Sequence, residues 1–117
     1  MPLTPSEIAV AFSSHRFDEA EPFLAESVFW DLVAGNPRID KAEVLTLTAE
    51  SAEALKTITT TFVDQRVIES GNTVVVDSVV EYVADDGEKS VVSSCDIYEF
   101  EGGMIVHIRS YAGVRTY

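Results

Sequence analysis

Asp96 is the residue of this chain that most invites a chemical reading. It stands between Val91 and Phe100 among Val, Ser, Cys, Ile and Tyr, in the middle of a strand-forming run. Aspartate disfavours strand interiors, and a carboxylate is costly to bury unless something compensates it. Tyr98 follows two residues later on the same strand face. Asp77 alternates with Val75 and Val79 in a second valine-rich run, a periodicity that can aim it into the same interior. The two histidines offer less. His15 reads as a solvent-exposed loop or cap residue. His107 shares a strand face with Arg109, opposite Ile108 and Ser110, which suits a surface or subunit contact. They lack metal-ligand spacing and no partner cluster accompanies them, so no metal is expected. A glycine-rich phosphate loop, a Ser-His-Asp set and a Cys-His set are all missing, and no cofactor is expected.

The elements that must position these residues fall into a helical first half and a β second half. Thr4, Pro5 and Glu7 form a helix start, with Thr as N-cap, Pro at the first position and Glu closing a capping box. Ile8, Ala9, Ala11 and Phe12 give that helix an apolar stripe. A second helix is expected from Asp18 to about Ala25, with Pro22 near its first turn. Residues 27–33 read as a short strand and 34–38 as a loop. Asp40 with Glu43 opens a third helix carrying Val44, Leu45, Leu47 and Leu55. Four β runs then follow at 57–69, 73–84, 88–100 and 104–116, separated by Gly-containing turns, as an antiparallel meander. Phe12, Trp30, Tyr98 and Ile108 are the expected walls of a cavity between sheet and helices.

Composition narrows the function. One domain of 117 residues is long enough to bury a core. Eight basic against twenty acidic residues, a formal charge of −12, argue against nucleic acid and anionic membranes as partners. The single Cys95 cannot form an intrachain disulfide. The start, Met1 to Pro5, has no leader pattern and no apolar run reaches membrane-spanning length, so a cytoplasmic protein is expected. Both faces of the meander are largely apolar. Helices can cover one; a second copy of the chain is the simplest cover for the other, which predicts a homodimer through the sheet.

The order of elements resembles the nuclear transport factor 2-like (cystatin-like) fold, in its SnoaL-like branch of polyketide cyclases and ketosteroid isomerases. The resemblance spans nearly the whole chain. Its best local marks run from Phe17 to Asp31 and from Asp96 through Gly102 and Gly103 to Tyr111. It implies an α+β fold: a cone-shaped, curved antiparallel sheet packed on three N-terminal helices. It also implies a small hydrophobic molecule as partner and proton transfer on a carbonyl compound as chemistry. By resemblance to the isomerases, the segment Trp30 to Arg38 places the general base on Asp31, and Asp96 matches a second carboxyl kept protonated as a hydrogen-bond donor, a pairing the isomerases are known for. Partial solvation at a loop mouth would keep Asp31 ionised, and desolvation would raise the pKa of Asp96. The isomerases also carry a tyrosine on the first helix. This chain has none before Tyr82, so Tyr98 would have to substitute. In the SnoaL-type cyclases one Asp of the closing hairpin is the acid/base, a role Asp96 could fill alone. Limonene epoxide hydrolases need Arg two residues before a middle-strand Asp, and Val75 stands there. An isomerase or cyclase, a non-catalytic binder and a dimeric interaction module all stay open, with Phe12, Trp30, Asp77, Tyr98 and Ile108 as ligand contacts in the first two.

Overall fold

The computed structural model describes residues 3–33 and 38–115. Helix α1 (Pro5–Ser13) opens with the expected capping box. Thr4 Oγ1 accepts from the Glu7 amide at 3.2 Å, and the Glu7 carboxylate accepts from the Thr4 amide at 2.9 Å. Helix α3 (Lys41–Leu55) opens the same way on Asp40 and Glu43, at 3.0 and 3.2 Å. The second helix is shorter than its sequence suggests. Helix α2 covers Phe17–Ala20, a 3-10 turn covers Glu21–Phe23, and strand β1 (Leu24–Leu32) has already begun where the helix was expected to continue. Pro22 explains the difference, because its missing amide and fixed ring let it sit in the tight turn but not extend a helix.

Residues 34–37 of the expected loop lie outside the described residues, as do Met1, Pro2 and Thr116. Arg38 does not belong to that loop. It opens a short strand β2 (Arg38–Asp40), antiparallel to β1. Strands β3 (Thr59–Ser70), β4 (Thr73–Val83), β5 (Lys89–Glu101) and β6 (Met104–Val114) form the expected meander. The six strands lie in the order β2-β1-β6-β5-β4-β3.

One pairing departs from the antiparallel expectation: β1 runs parallel to β6, so the sheet is mixed. Alternation within a strand reports which face is buried, and says nothing of a neighbour's direction. Register shifts at Phe62/Asp64 and Glu99/Phe100 add local bend, and the sheet is curved and open.

The helices cover one sheet face. Ile8, Ala9, Ala11 and Phe12 of α1 pack on Val74, Val76, Tyr98, Phe100, Ile105 and Ile108. Strand β4 shows the period most clearly: Val74, Val76, Ser78 and Val80 are buried, whereas the intervening residues are partly exposed. Each fully buried aliphatic side chain contributes about 1.5–3 kcal/mol, so this face carries the stability. Among the described residues no helix is long and apolar enough to cross a membrane.

Candidate active site

A cavity of about 390 Å³ opens on the helix-covered side of the sheet. Phe12, Phe17, Trp30, Leu32, Val80 and Val92 give it apolar walls, and the C-terminal end of α3 closes it with Ala54 and Leu55. Asp96 is its carboxyl group. Among the described residues no Lys or Arg lines the space.

Two hydroxyls hold Asp96, and each is oriented by an aromatic donor. Ser13 Oγ donates to Asp96 Oδ2 at 2.8 Å and lies 2.6 Å from the Tyr98 hydroxyl. A serine has one proton to give. With that proton on the carboxylate, Tyr98 must donate to Ser13. On the other side the Trp30 indole donates to Ser110 Oγ at 2.8 Å. An indole N–H is only a donor, which leaves the Ser110 proton for Asp96, its hydrogen-bond partner. Among the described residues no buried side-chain polar atom lacks a partner.

The electrostatics follow from this setting. Burial raises the pKa of Asp96, and the hydrogen bonds from Ser110 and Ser13 partly oppose the rise. Burial, with the Asp96 charge behind it, pushes the Tyr98 phenol well above its ordinary value. Tyr98 is therefore a neutral donor at any physiological pH.

The structure brings Phe12, Trp30 and Asp96 together and leaves the other expected site residues elsewhere. Tyr98 and Ile108 are fully buried beneath the cavity, and the Tyr98 hydroxyl is spent on Ser13. Neither lines the cavity. Asp31 alternates with Trp30 and Leu32, so it faces the opposite side of the sheet from Asp96. There it accepts a forked pair of bonds from Arg38, at 3.0 and 3.2 Å, and lies 2.8 Å from His107 Nε2. Those bonds, Arg38 first and His107 second, hold its carboxyl below the usual range. Asp77 also projects away from the cavity, on the face of Cys95 and 3.7 Å from Arg66. The physical reason is one rule applied twice: neighbours of an inward residue on a strand point outward.

Sequence reading missed His15, Tyr82, Ser13 and Ser110. His15 does cap the end of α1, but it is half-buried rather than solvent-exposed: it lines the cavity, and its Nε2 lies 2.9 Å from the Tyr82 hydroxyl. The signals were present. Tyr82 continues the buried period Val76, Ser78, Val80, and Ser110 lies two beyond Ile108. Ser13 continues the α1 stripe four residues after Ala9.

The sequence profile of the SnoaL-like domain matches residues 7–108. No curated protein sequence matches the chain. Among solved structures, one neighbour is a nuclear transport factor 2-like protein of unknown function from Cytophaga hutchinsonii. It is 31% identical, the match covers 91% of this chain and 93% of that one, and the TM-score is 0.78. IdmH, a candidate polyketide cyclase from Streptomyces antibioticus, matches at 17% identity over 94% and 92% of the two chains, with a TM-score of 0.71. An epoxide hydrolase of the limonene-epoxide-hydrolase-like type from Mycobacterium tuberculosis matches at 16% over 93% and 82%, with a TM-score of 0.69. The last two likenesses show a shared fold.

Proposed function

The chain belongs to the SnoaL-like domain family of nuclear transport factor 2-like proteins, and from that premise we propose that it is an isomerase or cyclase acting on a small hydrophobic carbonyl compound. The observation that carries the reading is a largely buried carboxyl, Asp96, facing an apolar cavity and held by two oriented hydroxyls.

Asp31 lies across the sheet, so a base on one carboxyl and an acid on another is not available within the cavity. Asp96 performs both strokes. Ionised, it takes a proton from the carbon next to a carbonyl, leaving an enolate. Protonated, it returns that proton to a different carbon in an isomerisation. In a ring closure the enolate carbon instead attacks a second carbonyl, and the Asp96 proton goes to the alkoxide formed. A raised pKa strengthens the base and brings it nearer the operating pH. Without a lining cation, the cavity favours uncharged substrates over carboxylates or phosphates.

A non-catalytic binder is the second reading, favoured by the two serine hydroxyls that already engage the Asp96 carboxyl. Deuterium uptake at the α-carbon of β-tetralone, a bicyclic enolisable ketone, separates the two. Uptake faster with the wild-type protein than with Asp96→Asn supports proton transfer; tight ketone binding with no uptake leaves only the binder.

We also propose a cytoplasmic homodimer formed through the sheet face away from the helices. Ile68, Val75 and Ile97 make one cross-strand apolar row there, and Tyr111 on β6 adds an exposed ring. Light scattering at micromolar concentration is expected to give twice the chain mass; a monomer removes the proposal.

A further inference from the structure

We propose that Tyr82 and His15 form a second polar subsite, along the sheet from Asp96 in the same cavity, which binds a hydroxyl or carbonyl oxygen of an uncharged ring compound. The substrate class this implies is an elongated ring system with an enolisable ketone at one end and an oxygen at the other. This rests on the reading of Asp96 as the proton-transfer group.

Backbone geometry supplies the first argument. His15 adopts φ of 67°, the left-handed region where glycine sits most easily. It does so at the end of α1, where the Arg16 amide reaches Ala11 O at 2.8 Å and the His15 amide reaches Phe12 O at 3.1 Å. That is the Schellman closure, in which position C′ is usually glycine. A non-glycine residue held there is the kind of outlier from which function is inferred. Here the conformation carries an imidazole into the cavity.

The ring is then fixed on several sides. It contacts Phe17, Phe62 and Tyr82, with ring centroids 5.7, 5.7 and 6.1 Å away, and its Nε2 meets the Tyr82 hydroxyl at 2.9 Å. Burial lowers the His15 pKa, so the imidazole is neutral near pH 7. In the tautomer with a proton on Nε2, His15 donates to Tyr82, and the phenol proton is left for a ligand oxygen. In the other tautomer the phenol donates to His15 and accepts from a ligand hydroxyl. The pair can therefore serve a carbonyl or a hydroxyl.

Position supplies the rest. Asp96 pairs with Val76 on β4, and Tyr82 lies six residues further along that strand. Asp96 and Tyr82 both line the same cavity, the Asp96 charge adds to burial in raising the Tyr82 pKa, and the register sets Tyr82 six residues along the sheet from the level of Asp96. Three of the polar groups beside Asp96 are engaged already: Ser13 and Ser110 with the carboxyl, and Trp30 with Ser110. Tyr82 and His15 are held to each other and face the cavity with hydrogen-bonding capacity left over.

The test compares β-tetralone with its derivative bearing a phenol hydroxyl on the ring remote from the carbonyl. Wild-type protein is expected to bind the hydroxylated ketone roughly tenfold more tightly, the yield of one good hydrogen bond. Tyr82→Phe should erase that preference, so that the two ketones bind with similar affinity. His15→Gly, which suits the backbone, should reduce the preference in the same direction. Ring-nitrogen NMR shifts of His15 should respond to the hydroxylated ketone and not to β-tetralone. The proposal is overturned if wild type shows no preference, if Tyr82→Phe retains it, or if neither ketone binds. Failure of the Asp96 reading looks different: neither ketone exchanges protons, while the affinity ratio and its dependence on Tyr82 persist.

Discussion

Asp96→Asn is expected to slow α-proton exchange of β-tetralone by about 10²–10⁴-fold, the range that general acid–base catalysis supplies. Asparagine keeps the shape and still accepts a bond from a serine hydroxyl, so ketone affinity should change little. The same variant carries a second, opposite signature in stability. The folded-state pKa of Asp96 lies above its unfolded value. The folded protein therefore holds the proton more tightly, and wild type loses stability as pH rises from the unfolded to the folded value. Above that window the ionised carboxyl is a standing cost that Asp96→Asn removes. The variant should be the more stable protein at neutral pH, with the gain vanishing in acid. Asp31→Asn should behave in reverse. Its folded pKa is lowered by Arg38 and His107, so its contribution is present at neutral pH and is lost as pH falls through the folded value. Urea unfolding of both variants at neutral and acid pH reads the two signs, and like signs would refute the placement of these carboxyls.

The largest stability loss should come from Phe12→Ala, at about 3–5 kcal/mol for a buried aromatic truncated to a methyl. Phe12 is 4% exposed and meets Phe17, Trp30 and Tyr98 edge-on, at centroid distances of 5.3, 5.2 and 6.0 Å. Such pairs add about 0.5–1.5 kcal/mol beyond the area they bury. Against a total of about 5–15 kcal/mol for an ordinary domain, that loss can halve the stability. The ring also backs Trp30, which orients Ser110, so the Asp96 network should loosen with the core. A drop below about 1 kcal/mol in urea unfolding would mean that α1 does not close the core through this ring.

Capping boxes and strand alternation carry local information, and both were legible. Thr4–Glu7 and Asp40–Glu43 marked two helix starts. The turns Ser70–Asn72 and Glu101–Gly103 marked hairpins, each with a glycine at positive φ. The parallel partnership of β1 with β6 was not legible, since it joins segments some eighty residues apart and leaves no mark in either. Asp96 was found because a carboxylate in a strand interior is a chemical anomaly that survives without knowledge of partners. Asp31 and Asp77 were drawn in by resemblance and by alternation without a fixed phase. Anchoring the phase on Trp30 and on Val76 would have turned both outward. His15 escaped because a histidine after two serines reads as a polar turn. Only the tertiary fold reveals that the turn faces Tyr82.

Carboxyl-carbon NMR titration of the wild-type protein tests the central claim most directly. An ordinary aspartate titrates near 3.9. Asp96 should titrate above that value, and Asp31 below it, in the same sample. The base limb of the exchange rate with β-tetralone should follow the Asp96 midpoint and not that of Asp31. An Asp96 midpoint at or below the ordinary value, or an exchange profile that ignores it, would contradict the account and leave Asp96 a structural carboxyl.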